Sequence, residues 1–368
     1  MEFKPILLLE KNKKVLTIKT LELNNRDNSL NLLRLVFASF VLIGHTFGFI
    51  GVQNTLPTPV TYILNLAVPC FFVVSGYLIT ASAIKNGMKT FFKKRFARIY
   101  PAYFVCLIVI IVLFAPIAHL LQFHSLGNYL TQSPTPLKFF ISNLPLFMVC
   151  PQLGQTLTVI SGSSWNGSAW TLIFEFGCYI AIATIIKLLI KFRQKHLFKI
   201  VFGIYLLLIV FSLFYPRPEG NPQRNVLNLV IFAVNLFSIF LGGSLIYLIK
   251  DKIIFNLKYL ILAIVFCIIV MSILRYAWAT EICAIPMTYI ILYISVKLKS
   301  SKFIQENDIS YGVYIYAWPV QTLIAIILAV YGIVLNVWVY TVICFIVTCI
   351  FASLSWFLLE KPILKRVR

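Results

Sequence analysis

The chain has 368 residues, of which 60% are hydrophobic and only 12% charged, and its mean hydropathy is +0.92. Soluble globular domains carry about 25% charged residues, so this composition excludes one and requires a protein that lives in the bilayer. The net charge of +21 suggests nucleic acid as a partner, but the places where the basic residues fall exclude that reading too.

About 20 apolar residues suffice to cross a bilayer. Ten such runs occur in chain order, near residues 30–50, 60–84, 99–121, 168–186, 200–215, 226–249, 259–274, 279–296, 309–331 and 334–358. The expected fold class is all-α, a polytopic membrane protein of about ten transmembrane helices. Residues 1–29 are polar and charged and lack a signal-peptide layout, so they read as a cytoplasmic extension ahead of a membrane domain over 30–368. With the N-terminus inside, 27 of the 32 Lys and Arg fall in cytoplasmic segments, namely 1–29, 85–98, 187–199, 250–258, 297–302 and 361–368. The other side holds only Lys138, Arg217, Arg224 and Arg275, while Arg34 lies just within the first span. This is the positive-inside asymmetry, and it predicts that both termini are cytoplasmic. The lipid bilayer is the implied partner. No oligomeric state follows.

The eight cysteines lie mostly within spans and show neither C-x-x-C nor metal-ligand spacing. With no P-loop, GxGxxG or HExxH either, no metal, ATP or NAD site is expected. The longest connection, 122–167, is rich in Pro, Gly, Ser and Asn and contains the apolar FFISNLPLFMVC, which suits a re-entrant or interfacial helix. A loop of that length usually covers or forms a site.

Ionisable residues inside spans carry the functional signal, because a charge near the bilayer centre costs about 2.5–3.5 kcal/mol on insertion scales. His45 lies in LVFASFVLIGHTFGFIG and Glu175 in AWTLIFEFGCYIAIATI. Arg34 and His45 are eleven residues apart, close to three turns, so they project from one face roughly 16 Å apart along the axis. An interfacial, snorkelling arginine accounts for Arg34 alone, and a packing histidine for His45 alone; one elongated ligand along the helix accounts for both. Counted from the span ends, His45 and Glu175 both lie about 10 Å below the outer surface. A carboxylate beside an imidazole raises its basicity, and histidine suits general-base work near neutral pH. A third group, KTFFKKRFARIYPAY (89–103), puts Arg95 and Arg98 on one face if helical; arginine forks suit phosphate, and ordinary topogenic charge is the plain alternative. His119 and His124 read as solvated, His196 as part of a basic loop, and Glu281 as a partner of Arg275. The patches Ser75-Gly76-Tyr77 and Gly242-Gly243-Ser244 read as close helix contacts.

The segment NGSAWTLIFEFGCY (166–179) closely resembles the N-G-S-x-W-T-L-x-x-E signature of the acyltransferase-3 family of integral membrane acyltransferases. The Arg34–His45 spacing matches that family's R-x10-H feature, and Arg95-x-x-Arg98 before Ile-Tyr-Pro its R-x-x-R motif. FFVVSGYLIT (71–80), ISYGVYIYAWPVQ (309–321) and WFLLEKP (356–362) resemble further blocks. The resemblance implies acyl transfer, usually acetyl, from cytoplasmic acyl-CoA to a sugar hydroxyl in the bacterial inner membrane, as in family members that decorate O-antigens, capsules and exopolysaccharides. It implies His45 as the catalytic histidine and Glu175 as the signature acid. Arg34, Arg95 and Arg98 become the donor-side cations, with acyl-CoA a donor substrate rather than a resident cofactor and a glycan or lipid-linked saccharide the acceptor. Two departures stand out: Ala317 occupies a position where many members carry histidine, and there is no esterase-like C-terminal domain. Direct attack by a hydroxyl deprotonated by His45 and an acyl-histidine route both remain open. Asn166, Ser168 and Trp170, beside Glu175, are candidate substrate contacts and oxyanion donors, and Trp165 and Trp170 candidates for stacking on a sugar. A rival class is a carrier or flippase of a lipid-linked saccharide using His45 and Glu175 as a proton relay; a non-catalytic membrane scaffold is a third.

Overall fold

A computed structural model describes residues 28–51, 57–160, 164–192, 196–215, 225–274 and 280–367. Most of the expected N-terminal extension, together with Arg217, Arg224 and Arg275, lies outside the described residues, and so does any pairing of Arg275 with Glu281. Among the described residues nine helices are long and apolar enough to cross a membrane. They are Leu30–Phe49, Thr58–Lys85, Met88–Phe123, Gly167–Leu189, Leu197–Phe214, Val226–Leu248, Leu257–Leu274, Ser310–Tyr331 and Val337–Arg366. In lipid each backbone N–H and C=O must be satisfied within its own segment, which is why apolar runs become helices here regardless of β-branched content.

The tenth predicted run, 279–296, is shorter: helix Ala284–Lys297 has 14 residues and begins after a break at Cys283. Pro286 supplies the reason, because it has no N–H to bond the Ile282 carbonyl and its ring crowds that group. At about 1.5 Å per residue the helix is about 21 Å long, less than the hydrocarbon core of about 30 Å.

Two spans contain π-helical turns, at Ile110–Phe114 and at Trp356–Glu360. The first lies within the 36-residue run Met88–Phe123, roughly 54 Å long. Its basic first turns therefore extend past the apolar thickness while remaining helical, which places Lys94, Arg95 and Arg98 on a rigid element.

The bundle is centred on helices Ala67–Lys85 and Val226–Leu248, which make the most extensive pairing among the described residues. They approach so closely that a Cβ on Gly76 would lie 1.9 Å from the Phe240 carbonyl oxygen, and one on Gly243 2.0 Å from that of Val73. The small-residue patches are close helix contacts, as expected. Leu257–Leu274 lies at the periphery, with Cys267 its one buried residue. Leu30–Phe49 packs on Ser310–Tyr331, and this pair carries the site.

The connection 122–167 folds back on the bundle. The first five residues of its apolar segment end the short helix Pro136–Asn143 and the rest turns back irregularly; the Asn143 carbonyl accepts from Tyr103 at 2.7 Å while its side chain bonds the Cys150 backbone at 2.8 and 2.9 Å. Gln122 donates to the Thr156 carbonyl at 2.8 Å, and the Trp165 indole to the Thr156 hydroxyl at 2.8 Å. His119 is not solvated as expected: it is 4% exposed, and its Nδ1 lies 2.7 Å from the Ser125 carbonyl oxygen.

Candidate functional site

At one end of the bundle a cavity of about 230 Å³ is lined by Arg34, Ser75, Lys94, Arg95, Arg98 and Tyr179 among others. The three arginines singled out by their spacing thus meet in one wall, although Arg34 comes from the first span and the others from Met88–Phe123. Arg95 and Arg98 share a face, as helical spacing requires.

Their partners differ. Arg98 Nη2 lies 2.5 Å from Asp308 Oδ2, and the same carboxylate oxygen accepts from Arg34 Nη1. Arg98 Nη1 is 3.5 Å from Glu360 Oε2. Asp308 lies in the short link between helices Lys302–Glu306 and Ser310–Tyr331, where the Ser310 hydroxyl and backbone N–H both donate to its Oδ1. Burial opposes ionisation of Asp308, but the two guanidiniums and the Ser310 donors outweigh it and hold the carboxyl below the usual carboxylate range. Arg95 is different: its Nε is buried without a hydrogen-bond partner among the described residues.

Glu175 Oε1 accepts from the Ser75 hydroxyl at 2.8 Å and from the Tyr179 hydroxyl at 2.5 Å. Those two donors line the basic cavity, while Glu175 itself lines a second, smaller space of about 30 Å³ with Arg34, Phe71, Thr171, Ser310 and Tyr314. The carboxylate therefore stands between the two spaces.

His45 is elsewhere. It is half-buried, and its ring meets the Trp318 indole edge-on at 4.6 Å between centroids, with no hydrogen bond to Glu175 among the described residues. The two were expected at one depth, and the structure corrects this. Trp318 Nε1 donates to the Ser164 carbonyl at 2.7 Å, and the same indole presses on Gly167, where a Cβ would come within 2.4 Å. The start of the N-G-S-x-W segment is therefore sunk into the bundle at the level of His45. Glu175, eight residues further along, is about 12 Å deeper and level with Arg34. Between Arg34 and His45 the shared face carries Phe37, Ala38 and Val41, all buried.

The remaining candidates hold the segment in place. Asn166 Nδ2 donates to the Ile315 carbonyl at 3.0 Å, and the Ser168 hydroxyl to Asn166 Oδ1 at 3.1 Å. Both residues are buried, so their polar groups are spent on the Ser310–Tyr331 helix. Trp165 is fully buried, which removes it from sugar stacking, and Trp170 packs against Phe174 and Phe232. Asp308, Glu360, Ser75, Tyr179 and Trp318 complete the site and were not picked out as site residues from the sequence. Ser75, Trp318 and Glu360 lie in the blocks at 71–80, 309–321 and 356–362, whereas Asp308 sits one residue before such a block.

Fold and site together define a multi-pass membrane protein with a polybasic cavity at one end of a span and a half-buried imidazole near the other. The chain belongs to the acyltransferase-3 family, whose profile, described as an acyltransferase domain, matches residues 27–357. It is 28% identical over 354 residues to an O-acetyl transferase of Shigella phage Sf6, covering 93% of this chain and 97% of the relative. It is 26% identical over 357 residues to Nodulation protein 10 of Rhizobium leguminosarum bv. viciae, covering 92% and 93% respectively. No solved structure gives a significant match. The protein is a membrane acyltransferase.

Proposed function

We propose that the protein transfers an acetyl group from cytoplasmic acyl-CoA to a hydroxyl of a cell-surface polysaccharide, or of its lipid-linked precursor, in the bacterial inner membrane. The observation that carries this reading is the placement of Arg34 and His45 on one face of one span, with the basic cavity at the arginine end. Coenzyme A has phosphates at one end, a long uncharged arm and a thioester at the other. Phosphates in the cavity and the arm along the first span bring the thioester to His45. The name of the phage relative supports acetyl and a hydroxyl acceptor.

In this reading His45 accepts the proton of the acceptor hydroxyl as its oxygen attacks the thioester carbonyl. The tetrahedral intermediate collapses with loss of the coenzyme A thiolate, which takes the proton from the imidazolium. An acyl-histidine route uses the same residue as nucleophile. Glu175 lines the small space beside the basic cavity, and in this reading it acts on the donor's arm rather than through a bond to the imidazole.

The test is mass spectrometry of surface polysaccharide from cells with the wild-type protein, with His45→Ala and with no protein. An increment of one acetyl group seen only with wild type is expected. Identical glycan masses with different amounts at the surface would replace transfer with a carrier function.

A further inference from the structure

Asp308 joins three elements far apart in sequence. One carboxylate oxygen takes Arg34 from the first span and Arg98 from Met88–Phe123, while the other oxygen is held by Ser310 at the start of the Ser310–Tyr331 helix. The side chain of Asp308 is 10% exposed, and those of Arg34 and Arg98 22% and 14%. Glu360 adds a second carboxylate to Arg98, and the Arg98 guanidinium also lies over the rings of Tyr311 and Trp356, at 5.9 and 5.8 Å. Two arginines and two carboxyl groups thus form a closed cluster.

Charge around the same cavity is then unequally available. Neither Lys94 nor Arg95 has an ion-pair partner among the described residues. Lys94 Nζ donates to the Asn86 side chain at 3.1 Å, and Arg95 Nε has no hydrogen-bond partner. An anion site needs cations that are fixed and not already neutralised. Long basic side chains lose rotamer entropy when fixed, and a bound carboxylate holds Arg34 and Arg98 in the wall, out of the space they share with Arg95 and Lys94.

We propose that Asp308 is a positioning residue of the donor site: it locks Arg34 and Arg98 into the cavity wall and leaves Arg95, with Lys94, as the cation pair that takes a phosphate. The proposal rests on reading the cavity as the acyl-CoA end. It divides the two arginines of Arg95-x-x-Arg98 between different tasks, one tethering and one binding. The ligand chemistry is a phosphate ester, and a lipid headgroup presents the same chemistry as coenzyme A.

The experiment titrates acetyl-CoA onto the purified full chain in nanodiscs of zwitterionic lipid, with acetyl-pantetheine, which has no phosphate, as the comparison probe. Asp308→Asn is expected to weaken acetyl-CoA binding at least tenfold and leave acetyl-pantetheine unchanged, with Asp308→Glu within threefold of wild type. In a background carrying both Arg34→Gln and Arg98→Gln, Asp308→Asn should add little, because it acts through those two arginines. Equal acetyl-CoA affinity in Asp308→Asn and wild type overturns the proposal while leaving the acyl-CoA reading intact. A wild type that binds no acetyl-CoA overturns both. Binding lost only when the nanodiscs contain anionic lipid assigns the cavity to a headgroup and also overturns it. Should Asp308→Asn fail to accumulate, Lys94→Gln and Arg95→Gln decide: unchanged affinity in both overturns the division of labour, and a loss of tenfold or more in Arg95→Gln with a smaller loss in Lys94→Gln upholds it.

Discussion

The indole of Trp318 meets the imidazole of His45 edge-on, at 4.6 Å and an interplanar angle of 68°. The same indole stands 5.1 Å from the Phe49 ring and donates to the Ser164 carbonyl at 2.7 Å. His45 is thereby oriented by an aromatic edge, and that edge is itself anchored to the last residues of the long connection. A carboxylate does not perform this task here, because the signature acid lies deeper in the bundle, bonded to Ser75 and Tyr179. Trp318 links the residue that would do the chemistry with the end of the long connection.

Replacing Trp318 by Leu should therefore leave donor binding unchanged and slow acyl transfer about tenfold, the scale of a lost aromatic pair and a slightly misplaced reacting group. Trp318→Phe keeps an aromatic edge and should stay within about threefold on the same grounds. Single-turnover transfer and acetyl-CoA binding, measured side by side, check this. A loss of binding equal to the loss of rate would make Trp318 a packing residue.

Glu175 accepts two hydrogen bonds and faces the narrow space shared with Arg34 and Tyr314. Glu175→Gln keeps its shape and an acceptor oxygen while removing the charge. If the charge serves transfer, this variant should accumulate normally and lose at least about tenfold in rate. Tyr179→Phe removes one of the two donors while the carboxylate and its bond to Ser75 remain, so it should cost less than Glu175→Gln. Full activity in Glu175→Gln would return the residue to helix packing.

Much of this was legible in the chain. Bilayer physics forces long apolar runs into helices, so nine predicted spans reappear, and Pro286 explains why the remaining run is cut short. The common face of Arg34 and His45 follows from a spacing within one helix. Relations between helices were not legible. Counting inward from span ends put Glu175 level with His45, because that count assumes both helices start at the surface. The Ser164–Gly167 segment starts instead deep against Trp318. Asp308 was missed for a similar reason: an acid in a three-residue link between helices is unremarkable until two arginines, 210 and 274 positions away, converge on it.

The depressed pKa of Asp308 gives a pH dependence of stability with a definite sign. A carboxylate held below its unfolded value contributes stability that is fully present above the unfolded pKa and lost as pH falls through the folded one. Arg34 and Arg98 both pair with Asp308, and Glu360 is the other acid facing Arg98. The thermal midpoint of the wild type in detergent should fall on acidification through and below the usual carboxylate range. Asp308→Asn should start lower at neutral pH and fall less over the same range. Parallel curves for the two proteins would show that Asp308 does not contribute to the acid sensitivity.

The contact between helices Ala67–Lys85 and Val226–Leu248 makes the last prediction, because it sets the position of Ser75 beside Glu175. A methyl group on Gly243 would meet the Val73 carbonyl oxygen at 2.0 Å and the Tyr77 nitrogen at 2.9 Å. Both are backbone atoms that cannot turn aside, so the helices must separate. Overpacking of this kind costs about 1–3 kcal/mol, and occasionally more. Gly203, in the span Leu197–Phe214, has nothing within 4 Å of the corresponding position. Alanine there removes the helix penalty of glycine, about 0.8–1 kcal/mol. Gly243→Ala should lower the thermal midpoint and reduce transfer through the displaced Ser75, whereas Gly203→Ala should match or exceed wild type in stability with unchanged activity. Equal midpoints for Gly243→Ala and Gly203→Ala would mean that the close approach of the two backbones does not hold the bundle together.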